Sequence, residues 1–238
     1  MRSAVFHLLA VFASTSAFST SPIPSTSTAR SDRPVSPLHV SNLFDIFSPA
    51  KSSQKNVELA SELKQEIRSL AARTQNGIVA ADEVRSAIAE NVRRLEAINP
   101  TSDLTSSPKL NGSWKLVYTT NGGSSAGKLG PFVGDVEQLI RLGNDNSDTD
   151  GDDYINYVRL GGGAVEGALT ATWDVKSKKE WQVNFQSIRF SILGIPVVEK
   201  ELGATGIWRK SYLDDDFRIL YAIGGKNAIN ENIYILSK

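Results

Sequence analysis

A mainly β fold, in which eight antiparallel strands close on themselves behind an N-terminal helical hairpin, is predicted by three features of the sequence. Apolar and polar residues alternate with period two through much of residues 112–237, and Gly and Asn interrupt the runs. Residues 56–98 instead space their apolar side chains three and four apart, as a helix face requires. A Ser/Thr/Pro-rich stretch, 101–108, separates the two textures. Short strands in series with tight turns favour a meander that closes into a barrel, because closure removes exposed edges. A sandwich is the alternative.

The first helix is read from Leu59, Leu63, Ile67 and Leu70 within 56–74, with Asn76-Gly77 as its stop. The second carries Val84, Ile88, Val92, Leu95 and Ile98, and it ends before Asn99-Pro100 because the residue preceding proline is pushed out of the helical region. The eight strands are placed at 112–120, 134–143, 153–160, 164–175, 180–191, 204–212, 216–223 and 231–237. Trp114, Leu116 and Tyr118 are expected on one face, as are Leu169, Ala171, Trp173 and Val175, and again Trp181, Val183 and Phe185. Eight strands leave an interior wide enough for packed side chains or one small ligand.

Composition narrows the chemistry. The chain has 26 basic and 26 acidic residues, of which 23 and 24 fall in 51–238, so no global field draws this part to nucleic acid or to an anionic membrane. Cysteine is absent, and the two histidines, His7 and His39, both precede residue 51. Histidine acid/base catalysis, Cys–His or Ser-His-Asp nucleophiles and Cys/His zinc sites are thereby excluded from 51–238. No catalytic residue, cofactor or metal is expected.

Residues 1–50 read as a removable address. Arg2 precedes an apolar run, Ala4 to Ala13, too short to span a bilayer, and Thr15-Ser16-Ala17 offers a cleavage site before Phe18. Residues 19–41 are rich in Ser, Thr and Pro, with Arg30 and Arg33 against the single acid Asp32, a composition suited to a transit peptide or linker. Ser16-Ala17-Phe18 resembles the bipartite presequence of complex red-lineage plastids, in which an aromatic follows the signal cleavage point. The expected organisation is a presequence at 1–50, a helical hairpin at 51–100 and a β-barrel at 101–238.

Gly112-Ser113-Trp114 opens the first strand with a Gly-x-Trp pattern, and Tyr212 to Ile219 marks a late hairpin. The pattern resembles lipocalin-type barrels, where such a tryptophan lies across one end under an arginine, so Arg218 is expected to cover Trp114. Gly77, Leu95 to Pro100, Leu110 to Thr120 and Tyr212 to Ile219, in that order, resemble the plastid-lipid-associated proteins, or fibrillins, across residues 57–238. The resemblance implies a lipocalin-like domain at plastoglobules or thylakoids that binds carotenoids, quinones or other lipids and has no catalytic activity common to the family. The chain departs from the family's pattern after Ile219, where it continues Leu220-Tyr221-Ala222 and ends on Glu231 to Leu236.

The expected function is to bind or sequester a hydrophobic small molecule in the plastid, with a membrane or lipid-droplet surface as the other partner and no nucleic acid. Candidate ligand-binding residues are Trp114, Tyr118, Trp173, Trp181, Phe185 and Arg218. A filled core is the alternative reading of the same aromatics. Enzymatic or accessory activity in lipid or isoprenoid metabolism would fall to Asp214, Asp216 or Tyr212, which a tight turn equally wants for its own hydrogen bonds. A structural coat on droplets is the third reading. The Asp-rich loop 144–153 has EF-hand-like spacing around Gly151, but Tyr157 stands where the bidentate glutamate belongs, so a solvated loop is expected. Gly161-Gly162-Gly163 is read as a hairpin turn, 121–127 as a loop at a cavity mouth, and 191–198 as apolar core or a lipid-touching rim.

Overall fold

The computed structural model describes residues 49–143, 153–224 and 231–238; the expected presequence up to residue 48 and the Asp-rich loop residues 144–152 lie outside the described residues, as do 225–230. Helix α1 (Pro49–Ala71) opens on a proline, whose missing N–H costs nothing in a first turn. Its buried face is Ala60, Leu63, Ile67 and Ala71, with Leu59 and Leu70 at the margins. Helix α2 (Asp82–Ala97) places Asp82 and Glu83 against the positive end of its own dipole and buries Ile88, Val92 and Leu95. Each of these large side chains contributes about 2 kcal/mol by leaving water.

The strands are β1 (Gly112–Thr119), β2 (Lys128–Leu129), β3 (Phe132–Val133), β4 (Asp135–Arg141), β5 (Asp153–Leu160), β6 (Val165–Val175), β7 (Glu180–Ile192), β8 (Ile195–Glu201), β9 (Thr205–Leu213), β10 (Phe217–Gly224) and β11 (Asn232–Ser237). The hydrogen-bonded order is β6-β5-β4-β1-β11-β10-β9-β7, and β7 pairs back onto β6, so eight strands form a closed antiparallel ring. The sandwich alternative is thereby set aside. All eight predicted strands are present within about two residues at each end. Strands β2, β3 and β8 are additions. β8 was hidden because its side chains are almost all exposed, so no alternation marks it. It pairs with the second half of β7, whose first half is taken by β9.

One side of the ring carries the helices. Tyr212, Phe217, Ile219, Ile233 and Ile235 point outward from β9, β10 and β11 into the apolar layer beneath α1 and α2. Tyr118 joins that layer, which corrects its expected place beside Trp114 and Leu116. The β1–β11 register slips between Leu116 and Tyr118, and the extra residue of this bulge inverts the alternation beyond it. Tyr118 then pairs with outward Ile235, and Thr119 with inward Tyr234.

Five polar contacts hold the hairpin in register. The Asn76 carbonyl accepts from the Thr119 N–H at 2.8 Å. Asn76 Nδ2 donates to the Ala126 and Gly134 carbonyls at 2.9 and 3.0 Å. Asn99 Oδ1 accepts from the Leu213 N–H at 3.0 Å, and the Tyr221 hydroxyl donates to Glu96 at 2.9 Å. At the β9–β10 turn, Lys64 Nζ donates to Asp214 at 2.8 Å and also to Asp216, and Arg68 donates to Asp216 at 2.9 Å.

Partial burial opposes ionisation of Asp216, but its bonds to Lys64 and Arg68 outweigh that and hold its carboxyl at about 2. A depressed folded value means that the stabilisation is complete above the unfolded value near 4 and is lost as pH falls through about 2. Because Asp216 is half exposed, solvent screening limits its worth to about 1 kcal/mol. Urea unfolding between pH 5 and pH 2 is expected to show a shallower acid loss of stability in Asp216→Asn than in the parent. Equal slopes would remove the ion cluster as a source of acid sensitivity.

Candidate functional site

The site is the interior of the ring, which alternation lines residue by residue. β1 contributes Trp114 and Leu116, β5 contributes Tyr154, β6 Ala171 and Trp173, and β7 Trp181 and Val183. β9 adds Trp208, β10 Leu220 and β11 Tyr234 and Leu236. Trp173 and Trp181 stack with centroids 4.2 Å apart, and Tyr154 meets Trp208 edge-on at 4.8 Å. Phe185 is partly buried against the same group, and Gly206 on the neighbouring strand lets its ring approach the backbone.

One end of the ring is sealed by the stretch linking α2 to β1. Leu104 and Leu110 are fully buried against the aromatic group. Their segment is tied down by the tryptophans it covers. Trp114 Nε1 donates to the Leu110 carbonyl at 2.8 Å, and Trp181 Nε1 to the Thr105 carbonyl at 3.2 Å. Leu104 N–H donates to the Lys178 carbonyl at 2.9 Å. The Arg218 guanidinium carbon lies 5.0 Å from the Trp114 ring centre, the pairing expected from the Gly-x-Trp pattern. Towards the other end lies an aliphatic group of Leu129, Val136, Val158, Ile188 and Phe190. The loop expected at a cavity mouth folds over this end as a short 3-10 turn, Ser124–Ala126, with Ala126 fully buried.

Of the six sequence-predicted residues, Trp114, Trp173, Trp181, Phe185 and Arg218 face this interior and Tyr118 does not. Its hydroxyl is buried beneath the hairpin without a hydrogen-bond partner.

The interior also holds a residue that sequence reasoning missed. Lys210 is 3% exposed, and its Nζ sits 3.0 Å from the centre of the Trp181 ring. The signal was its place two residues after Trp208 on a period-two strand, although a lysine there is ordinarily solvated; a register shift between the Lys210 and Tyr212 pairings turns Tyr212 to the other face. Burial, with Arg218 nearby, pushes its ammonium well below the usual range. Arg218 is fully buried, and burial draws its guanidinium down to about 10, still cationic at neutral pH. One guanidinium nitrogen donates to Gln138, itself buried in the same interior. Among the described residues, Lys210 Nζ and Arg218 Nε and Nη1 have no hydrogen-bond partner.

The residues of the acid/base alternative lie elsewhere, on the outside beneath α1. The Asp214 carboxylate accepts from Lys64, from the Tyr212 hydroxyl at 2.7 Å and from the Phe217 N–H at 2.8 Å. Burial and this carboxylate raise the Tyr212 phenol above its ordinary value, so it holds its proton. These groups are spent on a turn and on docking a helix. Among the described residues no three His, Cys, Asp or Glu side chains gather as a metal site would need.

The rim opposite the sealed end carries an apolar tip. The β7–β8 turn is Leu193-Gly194, both at positive φ (+50° and +78°), the geometry of a two-residue hairpin. Leu193 is 77% exposed, and Ile192, Ile195 and Val197 beside it are also exposed.

Comparison with known proteins adds the following. The family model described as PAP_fibrillin matches residues 61–229. A probable plastid-lipid-associated protein 5, chloroplastic, of Arabidopsis thaliana is 27% identical over 183 residues, covering 76% of this chain and 72% of the relative. A plastoglobulin-1, chloroplastic, of Pisum sativum is 30% identical over 145 residues, covering 58% of this chain and 39% of that protein, so the match spans well under half of its length.

Proposed function

Because the chain belongs to the PAP_fibrillin family, matched across 61–229, we propose that it is a plastid lipid-associated protein whose ring interior holds a hydrophobic small molecule without transforming it. The plastid address agrees with the chloroplastic relatives and with the presequence-like layout of residues 1–50. The observation that carries the reading is the aromatic interior: Trp114, Trp173, Trp181, Trp208 and Tyr154 converge in one ring covered at one end by Leu104 and Leu110. Flat, rigid rings of this kind gain by dispersion and desolvation against a polyene, a quinone or an acyl chain, at little cost in side-chain entropy. Catalysis is not part of the proposal, since the carboxylates nearest to candidate status serve the hairpin. The test is to purify the full chain from plastids and extract it for bound lipid. A stoichiometric pigment, quinone or acyl lipid is expected. Protein that emerges lipid-free and shows no tryptophan quenching with any of these would overturn the interior reading.

A second reading, attachment to a droplet or membrane surface, is favoured by the β7–β8 tip. Leu193 is unsuited to its place twice over, as a bulky side chain at positive φ and as an apolar one in water. Neither cost serves the ring, and a lipid surface would relieve the second. Leu193→Asn tolerates the left-handed conformation better, so the protein is expected to become slightly more stable, by about 0.5 kcal/mol, while partition onto galactolipid-coated droplets falls several-fold. Undiminished partition would remove the tip from the lipid contact.

A further inference from the structure

We propose that Lys210 and Arg218 form an anion-recognition site inside the ring, one that takes the single negative head group of an amphiphile whose tail lies among the interior aromatic and aliphatic side chains. The proposal deepens the interior-binding reading and rests on it.

Cations are rarely buried without a partner. Lys210 and Arg218 are 3% and 2% exposed, and they face the same enclosure from adjacent strands β9 and β10. Three of their donor nitrogens make no hydrogen bond. Buried charge is ordinarily matched by a carboxylate, and leaving one unmatched is strongly destabilising. Yet the inward positions of the described strands contain no Asp or Glu. What faces the pair is Gln138 on β4, Tyr154 and Asn156 on β5, Trp181 on β7 and Tyr234 on β11. Both tyrosines have phenols raised by burial, so they remain neutral and add no negative charge. Gln138 satisfies one arm of Arg218, and the Trp114 and Trp181 rings stand by Arg218 and Lys210 respectively. Rings moderate a positive charge without neutralising it.

The inward side of the described strands therefore carries positive charge without a matching anion, and it has free donors to receive one. A carboxylate or a phosphate monoester supplies several acceptors, enough for Lys210 Nζ and the free edge of Arg218 together. The apolar walls around the pair demand that the rest of the ligand be a tail. Selectivity follows: a neutral lipid of equal length leaves the donors unmet, whereas an anionic one pairs them in a low-dielectric interior. Burial disfavours the ammonium form of Lys210, and arrival of the anion favours it.

The test titrates the full chain with dodecanoate, dodecyl phosphate and dodecanol, following tryptophan fluorescence and calorimetric heats in two buffers of different ionisation enthalpy. One of the anions is expected to bind at least tenfold more tightly than the alcohol, with net proton uptake rather than release on binding. Comparison of the two anions identifies the head group. Lys210→Met, which keeps the length of the side chain and removes its amine, is expected to lower the preferred anion to the level of the alcohol measured on the same variant, with circular dichroism and a cooperative urea melt showing that the ring is still folded. Equal affinity for anions and alcohol, or an anion preference that survives Lys210→Met, overturns the proposal and leaves the interior-binding reading standing. Absence of binding by all three probes overturns both.

Discussion

Replacing Gly77 with alanine is expected to destabilise the protein by about 3 kcal/mol or more, mainly by lifting the helical hairpin from the sheet. Gly77 has φ +102°, and a Cβ built on it would lie 2.0 Å from the Thr119 carbonyl oxygen and 3.0 Å from the Tyr118 ring. The first neighbour is backbone in a paired strand and has nowhere to go. Relief would require withdrawing the 75–77 turn, which breaks the Thr119-to-Asn76 bond and the two bonds from Asn76 Nδ2 to Ala126 and Gly134. Gly162→Ala is the control: Gly162 also has positive φ (+66°), but its Cβ would meet nothing within 4 Å, so it is expected to lose only about 1 kcal/mol of conformational preference. Urea melts of both variants, with hydrogen exchange read separately over α1, α2 and the ring, check this. A Gly77→Ala protein as stable as the Gly162→Ala protein would show that the close approach is not maintained.

Trp114→Ala is expected to cost about 4–5 kcal/mol, at the upper end for removal of a buried aromatic. Three losses coincide at this position. The indole fills the sealed end of the ring, its Nε1 holds the Leu110 carbonyl, and its face lies beside Arg218. Without the ring a fully buried guanidinium faces a cavity with only Gln138 to answer it. Trp114→Phe keeps a ring and gives up the indole N–H, so it is expected to cost about 1–2 kcal/mol. Chemical denaturation of the two variants measures the difference. If they were equally destabilised, the hydrogen bond to Leu110 rather than the ring itself would be the main contribution of Trp114.

Local pattern and tertiary arrangement divided the protein between them. The ring strands away from the helices were legible because one face is wet and the other dry, which alternation records directly. The pairing of Trp114 with Arg218 was legible as well, from a Gly-x-Trp opening and a late arginine. Tyr118 was misplaced because a bulge inserts one residue without leaving a compositional mark, and a single slip moves every later side chain to the other face. β8 went unseen since it lies mostly in water, so its residues obey no alternation.

The sequence by itself determined the helical hairpin, the ring strands and the lack of histidine and cysteine chemistry in 51–238, because periodicity and inventory are local properties of the chain. Only the tertiary structure decided which polar side chains lie inside. Strand register is a contest among long-range contacts, and it alone turned Lys210 inward to share the aromatic interior with Arg218 while Asp214, Asp216 and Tyr212 were spent holding a helix.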